Sequence, residues 1–371
     1  MIWEMLLGGG GHIFEVSGVA LRPILFSLTI LTTIYILVCY QYRLNINYII
    51  YFFIVVILLN YGIFIGVYNN YNRSDIIKEV MPFLYLLLLF IIVNFKRYYD
   101  PFKIRYIFIV CGLIISAASF LTMGLLFLGV LRFDAIYSWG LKSGELIFRG
   151  KDGIFFFKPV YVVAVSLIIL ILQKQRNIRE NLYTIIFSLS ILITFTKGLV
   201  VVTGFIIFLF SIYRLRFFTF LIGGGISIAI LIFVLAVREG LEGVGGSVNT
   251  RGLDFQFITA NTTVASLFFG NGFGSEIRGR LMIENSYLWV WWKLGIFPIV
   301  ILMAFLWAAI QEFYRCRKSD GFLADSFFGG ILFVFLISFI NPLITNVIGM
   351  TIAFLCYVGL KSLPSQDMEK S

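Results

Sequence analysis

The side chains best suited to chemistry gather in one long polar stretch, from Arg238 to Asn285, set between strongly apolar segments. It reads REGLEGVGGSVNTRGLDFQFITANTTVASLFFGNGFGSEIRGRLMIEN. Within it Arg238, Arg251, Arg278 and Arg280 stand beside Glu239, Glu242, Asp254, Glu276 and Glu284. A single arginine in such a loop is ordinarily a solvated or headgroup-binding residue. Four together suit phosphate, because a guanidinium stays charged and binds two oxygens at once. The Glu284 carboxylate can accept a proton from a hydroxyl. The alternative for Glu284 is a place at the positive end of the helix that begins at Ser286-Tyr287. The glycine runs GLEGVGG and GNGFG fit neither nucleotide-binding template and read as flexible turns.

Two lysines lie in apolar surroundings. Lys197 falls near the centre of a run, Leu182 to Tyr213, that is too long for one membrane span. At the midplane it would cost about 2.5–3.5 kcal/mol, so two short helices turning at Lys197 are expected. Lys293 lies in YLWVWWKLGIF, nine residues beyond Glu284. In a continuous helix nine residues make half a turn and a rise of about 13 Å, so the two side chains face opposite ways. Lys293 is therefore expected to snorkel or to pair with another helix, not to share a site with Glu284. Trp289, Trp291 and Trp292 read first as interfacial anchors, with sugar stacking as the alternative.

The elements that must position these residues are membrane helices. Apolar residues make up 60% of 371 positions and charged ones 13%, against roughly 45–50% and about 25% in soluble domains. Continuously apolar runs in lipid can only be helices, so the fold is an all-α polytopic bundle. About eleven spans are expected from such runs, near 22–40, 48–68, 81–95, 104–131, 157–173, 182–196, 199–213, 217–237, 287–310, 326–341 and 342–360. The last two divide at Asn341-Pro342, where proline disrupts helix hydrogen bonding. Residues 1–371 read as a single transmembrane domain without internal repeats.

Basic residues crowd one set of alternate short loops, among them Lys96, Arg97, Lys103 and Arg105; Lys174, Arg176 and Arg179; and Arg315, Arg317 and Lys318. Those loops are expected to be cytoplasmic. The N-terminus and the two long loops, 132–158 and 238–285, then lie outside, and the C-terminus inside. The net charge of +10 is thus a topology signal that needs no nucleic acid. Apolar stretches at Phe255 to Ile258 and Val264 to Phe269 suggest short helices at the membrane surface within the longer loop. The four cysteines lack metal-like spacing, His12 is the single histidine, and the outer face has no DxD pair. No metal or other cofactor is expected. Arginine and lysine are left to stabilise negative charge.

The segment IENSYLWVWWKLGIFPIVIL resembles the signature shared by bacterial O-antigen polymerases and O-antigen ligases. In that family a histidine or glutamate and an asparagine precede a tyrosine-leucine pair, with a glycine some seven residues later. Glu284, Asn285, Tyr287, Leu288 and Gly295 occupy those places. NTRGLDFQ with SLFFGNGFG is similar to the family's arginine and glycine-rich turn. TFTKGLVVVTG resembles its serine or threonine plus arginine motif, with Lys197 in place of arginine. Glutamate where ligases typically carry histidine favours a polymerase. The opening GGGGHIFEVSGVALRPILF also looks familiar from polysaccharide polymerases.

The resemblance implies a GT-C-like scaffold in the bacterial inner membrane. It implies metal-independent joining of oligosaccharide repeat units carried on undecaprenyl diphosphate, at the periplasmic face. Donor and acceptor are both lipid-linked; membrane lipids surround the protein, and a flippase and a chain-length regulator are further partners. Glu284 would be the base or orient the acceptor, and Asn285 would hold Glu284 or the sugar. Arg251 would stabilise the departing diphosphate, assisted by Lys197 and by Arg278 or Arg280, and Tyr287 would contact substrate. A ligase moving finished polymer to lipid A-core is the nearest alternative. A lipid-linked oligosaccharide transporter is the alternative of another class, for which charges deep in several spans would be expected.

Overall fold

At several apolar runs a polar side chain closes the first turn of the helix. The computed structural model describes residues 2–8, 15–16, 19–39, 46–94, 99–143, 146–149, 154–173, 177–194, 196–213, 246–318 and 320–364. In chain order the helices are α1 (Ile2–Leu7), α2 (Leu21–Cys39), α3 (Ile46–Tyr68), α4 (Arg73–Asn94), α5 (Pro101–Phe127), α6 (Phe133–Ser143), α7 (Val160–Ile171) and α8 (Ile178–Leu192). They continue with α9 (Lys197–Tyr213), α10 (Gly246–Asn261), α11 (Val264–Phe269), α12 (Ser286–Leu294), α13 (Phe297–Cys316), α14 (Gly321–Ile337) and α15 (Val347–Ser362). Asp100 accepts from the Phe102 amide ahead of Pro101, and Asn177 and Glu180 form a capping box at α8. Such caps satisfy amides that have no partner within the helix. Asp320 and Asn346 do the same for α14 and α15.

Three helical stretches, Ile49–Tyr68, Pro101–Phe127 and Phe297–Cys316, are long and apolar enough to cross a bilayer. Shorter apolar helices accompany them, as in a multi-pass membrane protein. The centre of the bundle is α7, whose residues Val160 to Leu170 are all buried. Close helix approach there relies on small side chains, a device of membrane bundles. Ser166 donates across to the Phe108 carbonyl at 2.6 Å, and Gly330 faces the Cys356 thiol. Large apolar side chains such as Ile57, Phe64, Leu121 and Trp307 point outward instead.

Several expectations hold and others are corrected. The turn before Lys197 is present: α8 ends at Leu192 and α9 begins at Lys197. The interruption at Asn341-Pro342 widens to residues 338–346, where the Ser338 hydroxyl takes the Ile344 amide at 2.9 Å. The single span expected over 287–310 is two helices, α12 and α13, parted at Gly295. The stretch 238–285 is described from residue 246 on, and α10 and α11 occupy 246–261 and 264–269 of it. The loop 132–158 contains α6 and a hairpin of β3 (Leu146–Arg149) with β4 (Ile154–Phe157), held over a small cluster of Ile136, Leu146 and Phe155. Near the N-terminus β1 (Glu15–Val16) pairs with β2 (Val19–Ala20). The expected span 217–237, together with Arg238, Glu239, Glu242 and His12, lies outside the described residues.

The GNGFG run is a turn packed tightly against neighbouring backbone. Gly270 and Gly295 have φ of 72° and 77°, the left-handed region that disfavours side chains. They also cross at backbone contact: a Cβ on Gly270 would overlap the Lys293 carbonyl, and one on Gly295 the Phe268 carbonyl. Space and conformation thus both demand glycine. Alanine at either position is expected to abolish recovery of monodisperse protein in detergent gel filtration. Gly124→Ala, where nothing lies within 4 Å of the new methyl, is expected to leave recovery unchanged.

Candidate active site

The site is assembled outward from that joint. The Asn271 and Gly272 amides donate to the Trp292 and Lys293 carbonyls at 2.8 and 2.9 Å, closing the end of α12. Phe273 donates to the Gly62 carbonyl at 3.1 Å, tying the turn to α3. Beneath it Lys293, fully buried, reaches Glu79 of α4 at 2.6 Å and also donates to the Ser275 carbonyl. The second oxygen of Glu79 accepts from the Gly274 amide at 2.6 Å. Lys293 therefore pairs with another helix, as expected of a cation within an apolar segment.

Beyond Ser275 the chain makes a two-residue turn. Ile277 and Arg280 exchange backbone hydrogen bonds of 2.9 and 3.1 Å, and Arg278 at its tip has φ 52°. Both arginines are thereby aimed at one carboxylate oxygen, that of Asp254 on α10. Arg278 lies 3.4 Å from it and Arg280 hydrogen-bonds it. Asp254 is almost wholly buried, whereas the two guanidinium side chains remain 36% and 38% exposed. An arginine has five donors, and sharing one oxygen leaves most of them available to an anion.

Arg251 stands one helical turn before Asp254 on α10. Its Nε and Nη2 contact the same oxygen of Glu284 at 2.7 and 2.6 Å, and Nη2 donates to the Ile340 carbonyl at 3.3 Å. Glu284 is 46% exposed. Segment 338–346 completes the wall: the Ser286 amide donates to the Ser338 carbonyl at 3.0 Å and its hydroxyl to the Asn341 carbonyl at 3.4 Å. Gly198 packs on Ile340, the nearest approach for a Cβ there being 3.0 Å, so the start of α9 flanks the same segment. Lys197, at that start, is half-buried and makes no hydrogen bond or ion pair among the described residues.

The residues expected to act together are thus brought together unevenly. Arg251 and Glu284 touch, Arg278 and Arg280 meet on Asp254 a helix turn away, and Lys197 flanks through Gly198 and Ile340. Asn285 and Tyr287 serve the scaffold around them. The Asn285 side-chain oxygen caps α12 on the Tyr287 and Leu288 amides, and the Tyr287 hydroxyl donates to the Phe335 carbonyl at 2.9 Å, its ring 4.5 Å from that of Phe339. Trp289 is no interfacial anchor. It is buried, stacked on Phe83 with ring centroids 6.0 Å apart, and donates to the Leu281 carbonyl at 2.8 Å. Sequence reasoning missed Glu79, 214 positions from Lys293 and without any local signal. It gave Asp254 no role, although its spacing from Arg251 places both on one face once residues 246–261 are read as helix.

No family model matches the chain, and no solved structure matches it. A curated protein from Shigella flexneri named O-antigen polymerase is 26% identical over 356 residues, covering 94% of this chain and 90% of that protein. The chain resembles an O-antigen polymerase along nearly its whole length. This agrees with the resemblance carried by IENSYLWVWWKLGIF, the stretch that presents Glu284 to Arg251. Similarity to an O-antigen polymerase also accords with a helical chain bearing apolar spans.

Removing one partner of a buried ion pair strands the other and costs about 3–5 kcal/mol. Lys293→Met and Glu79→Gln are each expected to lower the yield of folded protein sharply. The double variant is expected to recover part of the loss, because the glutamine amide oxygen still accepts from the Gly274 amide and no lone charge remains. Losses that simply add, measured by thermal unfolding in detergent, would show that the pair does not couple these segments.

Proposed function

We propose that the chain is an O-antigen polymerase, a glycosyltransferase joining repeat units carried on undecaprenyl diphosphate. The observation that carries the reading is the Arg251–Glu284 contact, which sets a phosphate-binding cation against a proton acceptor at the entry of α12. Similarity to a named O-antigen polymerase over 94% of the chain supports it. The reaction takes place at the periplasmic face of the inner membrane, on a GT-C-like scaffold of about eleven spans. The N-terminus is periplasmic and the C-terminus cytoplasmic. A flippase supplies the lipid-linked units and a chain-length regulator limits growth.

In this mechanism an acceptor-sugar hydroxyl oxygen attacks the anomeric carbon of the donor chain. The bond from that carbon to the diphosphate oxygen breaks, and its electron pair leaves with undecaprenyl diphosphate. Glu284 takes the hydroxyl proton or holds the hydroxyl in line. Arg251, with Arg278, Arg280 and Lys197, stabilises the charge that grows on the leaving group without a metal ion. Segment 338–346 holds the Arg251 guanidinium through the Ile340 carbonyl.

Glu284→Gln keeps the shape of the side chain and removes its basicity. It is expected to reduce chain growth by about 10²–10⁴-fold while membrane insertion and expression stay normal. In a strain lacking the wild-type gene, lipopolysaccharide should then carry a single repeat unit. Full-length chains from this variant would remove the assignment of Glu284. Bare core in the deletion strain would instead identify a ligase.

A further inference from the structure

We propose that an apolar cavity beside the charged site holds the isoprenoid segment next to the donor's diphosphate; this deepens the proposed function and rests on it. The cavity has a volume of about 170 Å³ and lies between α3, α12, α13 and α15. Leu58, Val290, Leu294, Ala308, Ala353 and Phe354 are among the side chains that line it. Apolar cavities of about 150 Å³ stay dry and accept a small hydrocarbon such as benzene. This one fits one or two isoprene units and not a whole long polyprenyl chain.

Three observations favour that occupant. The first is continuity with the charged site. Tyr287, Val290 and Leu294 lie on one face of α12, which starts two residues after Glu284. Val290 and Leu294 line the cavity, and Tyr287 is hydrogen-bonded to Phe335, which lines it too. Segment 338–346 repeats the arrangement, giving the Ile340 carbonyl to Arg251 and Ile344 and Thr345 to the cavity wall. Four residues of extended chain span about 14 Å at most, so one amphiphile with an anionic head reaches both regions.

The second observation is access. Tyr51 is 44% exposed and Ala304 is also exposed, and both line the cavity. Their exposed neighbours on α13, Val300, Met303 and Trp307, form an apolar outer surface. A hydrocarbon chain can therefore enter sideways from the bilayer without crossing water. The third is the shape of the lining. Small residues in membrane bundles ordinarily let helices close up, whereas Ala304, Ala308 and Ala353 here line a recess between helices. A hydrocarbon chain seated there makes dispersion contacts along that lining.

The test uses the full chain in phosphatidylglycerol nanodiscs and a polyprenyl diphosphate carrying a photoreactive group in its first isoprene units. Crosslinks are expected on α3, α12, α13 and α15 peptides, which line the cavity, and undecaprenyl diphosphate should compete them away. Ala308→Phe, which fills the cavity, is expected to reduce this labelling at least tenfold. It should also raise KM about tenfold for an undecaprenyl-linked donor. Ala304→Phe, at the exposed rim, needs no repacking and should give the same result if Ala308→Phe folds poorly. Undiminished labelling in both variants, crosslinks on other helices, or labelling insensitive to undecaprenyl diphosphate in excess would each overturn the proposal. Specific labelling with no polymer from any donor would uphold the cavity and overturn the proposed function.

Discussion

A lysine ammonium sealed inside an apolar bundle is tenable only where its charge is matched and its donors are taken up. Lys293 meets both conditions at one point, between the Glu79 carboxylate and the Ser275 carbonyl, with the Trp289 ring 5.7 Å away. Because Glu79 also accepts from Gly274, the pair fixes backbone as well as side chains. The joint so fixed carries α12 against α3 on one side and delivers Arg278 and Arg280 to Asp254 on the other. Asp254 in turn sets the rotation of α10, and that rotation is what brings Arg251 to Glu284. The candidate site is therefore a downstream consequence of one buried charge pair.

Residue type and local pattern made part of this legible. The polar stretch with its four arginines and Glu284 stands out by residue type, the family resemblance singles out Arg251 within it, and the breaks near Lys197 and Asn341-Pro342 follow from a charge and a proline inside apolar runs. What escaped was set by contacts distant in the chain. The sequence GSVNTRGLDFQFITAN has no clear helical period, with glycines, an asparagine and threonines that favour other conformations. It is helix α10 because Arg251 finds a partner 33 positions away and Asp254 finds two, 26 and 24 positions away. The break at Gly295 is hidden for the opposite reason. A glycine in an apolar run carries no polarity, and only the Phe268 carbonyl packed against it reveals why a side chain is excluded.

The pairing of cations with carboxylates gives the site its shape before any substrate arrives. Arg278 and Arg280 would repel one another at close range, and a single shared oxygen of Asp254 holds them together. Arg251 is gripped along its Nε and Nη2 edge, while its Nη1 has no partner among the described residues. Donors fixed in this way need little reorganisation when negative charge develops nearby, the condition under which hydrogen bonds are most effective in catalysis.

The breaks in the helices explain where such a site can exist at all. In hydrocarbon, backbone that leaves the helix must find partners in the protein or line a cavity. The breaks at 270–280, at Gly295 and at 338–346 lie around one place and answer one another. The α12 carbonyls take amides from the glycine joint, the Ser338 carbonyl takes the Ser286 amide, the Ser338 hydroxyl takes the Ile344 amide, and the Ile340 carbonyl takes Arg251. Continuous helices would keep those groups in their own ladders and leave a smooth apolar wall. Interrupting them beside a buried ion pair exposes carbonyls and amides that hold charged side chains still, and it does so where apolar lining begins a few residues away.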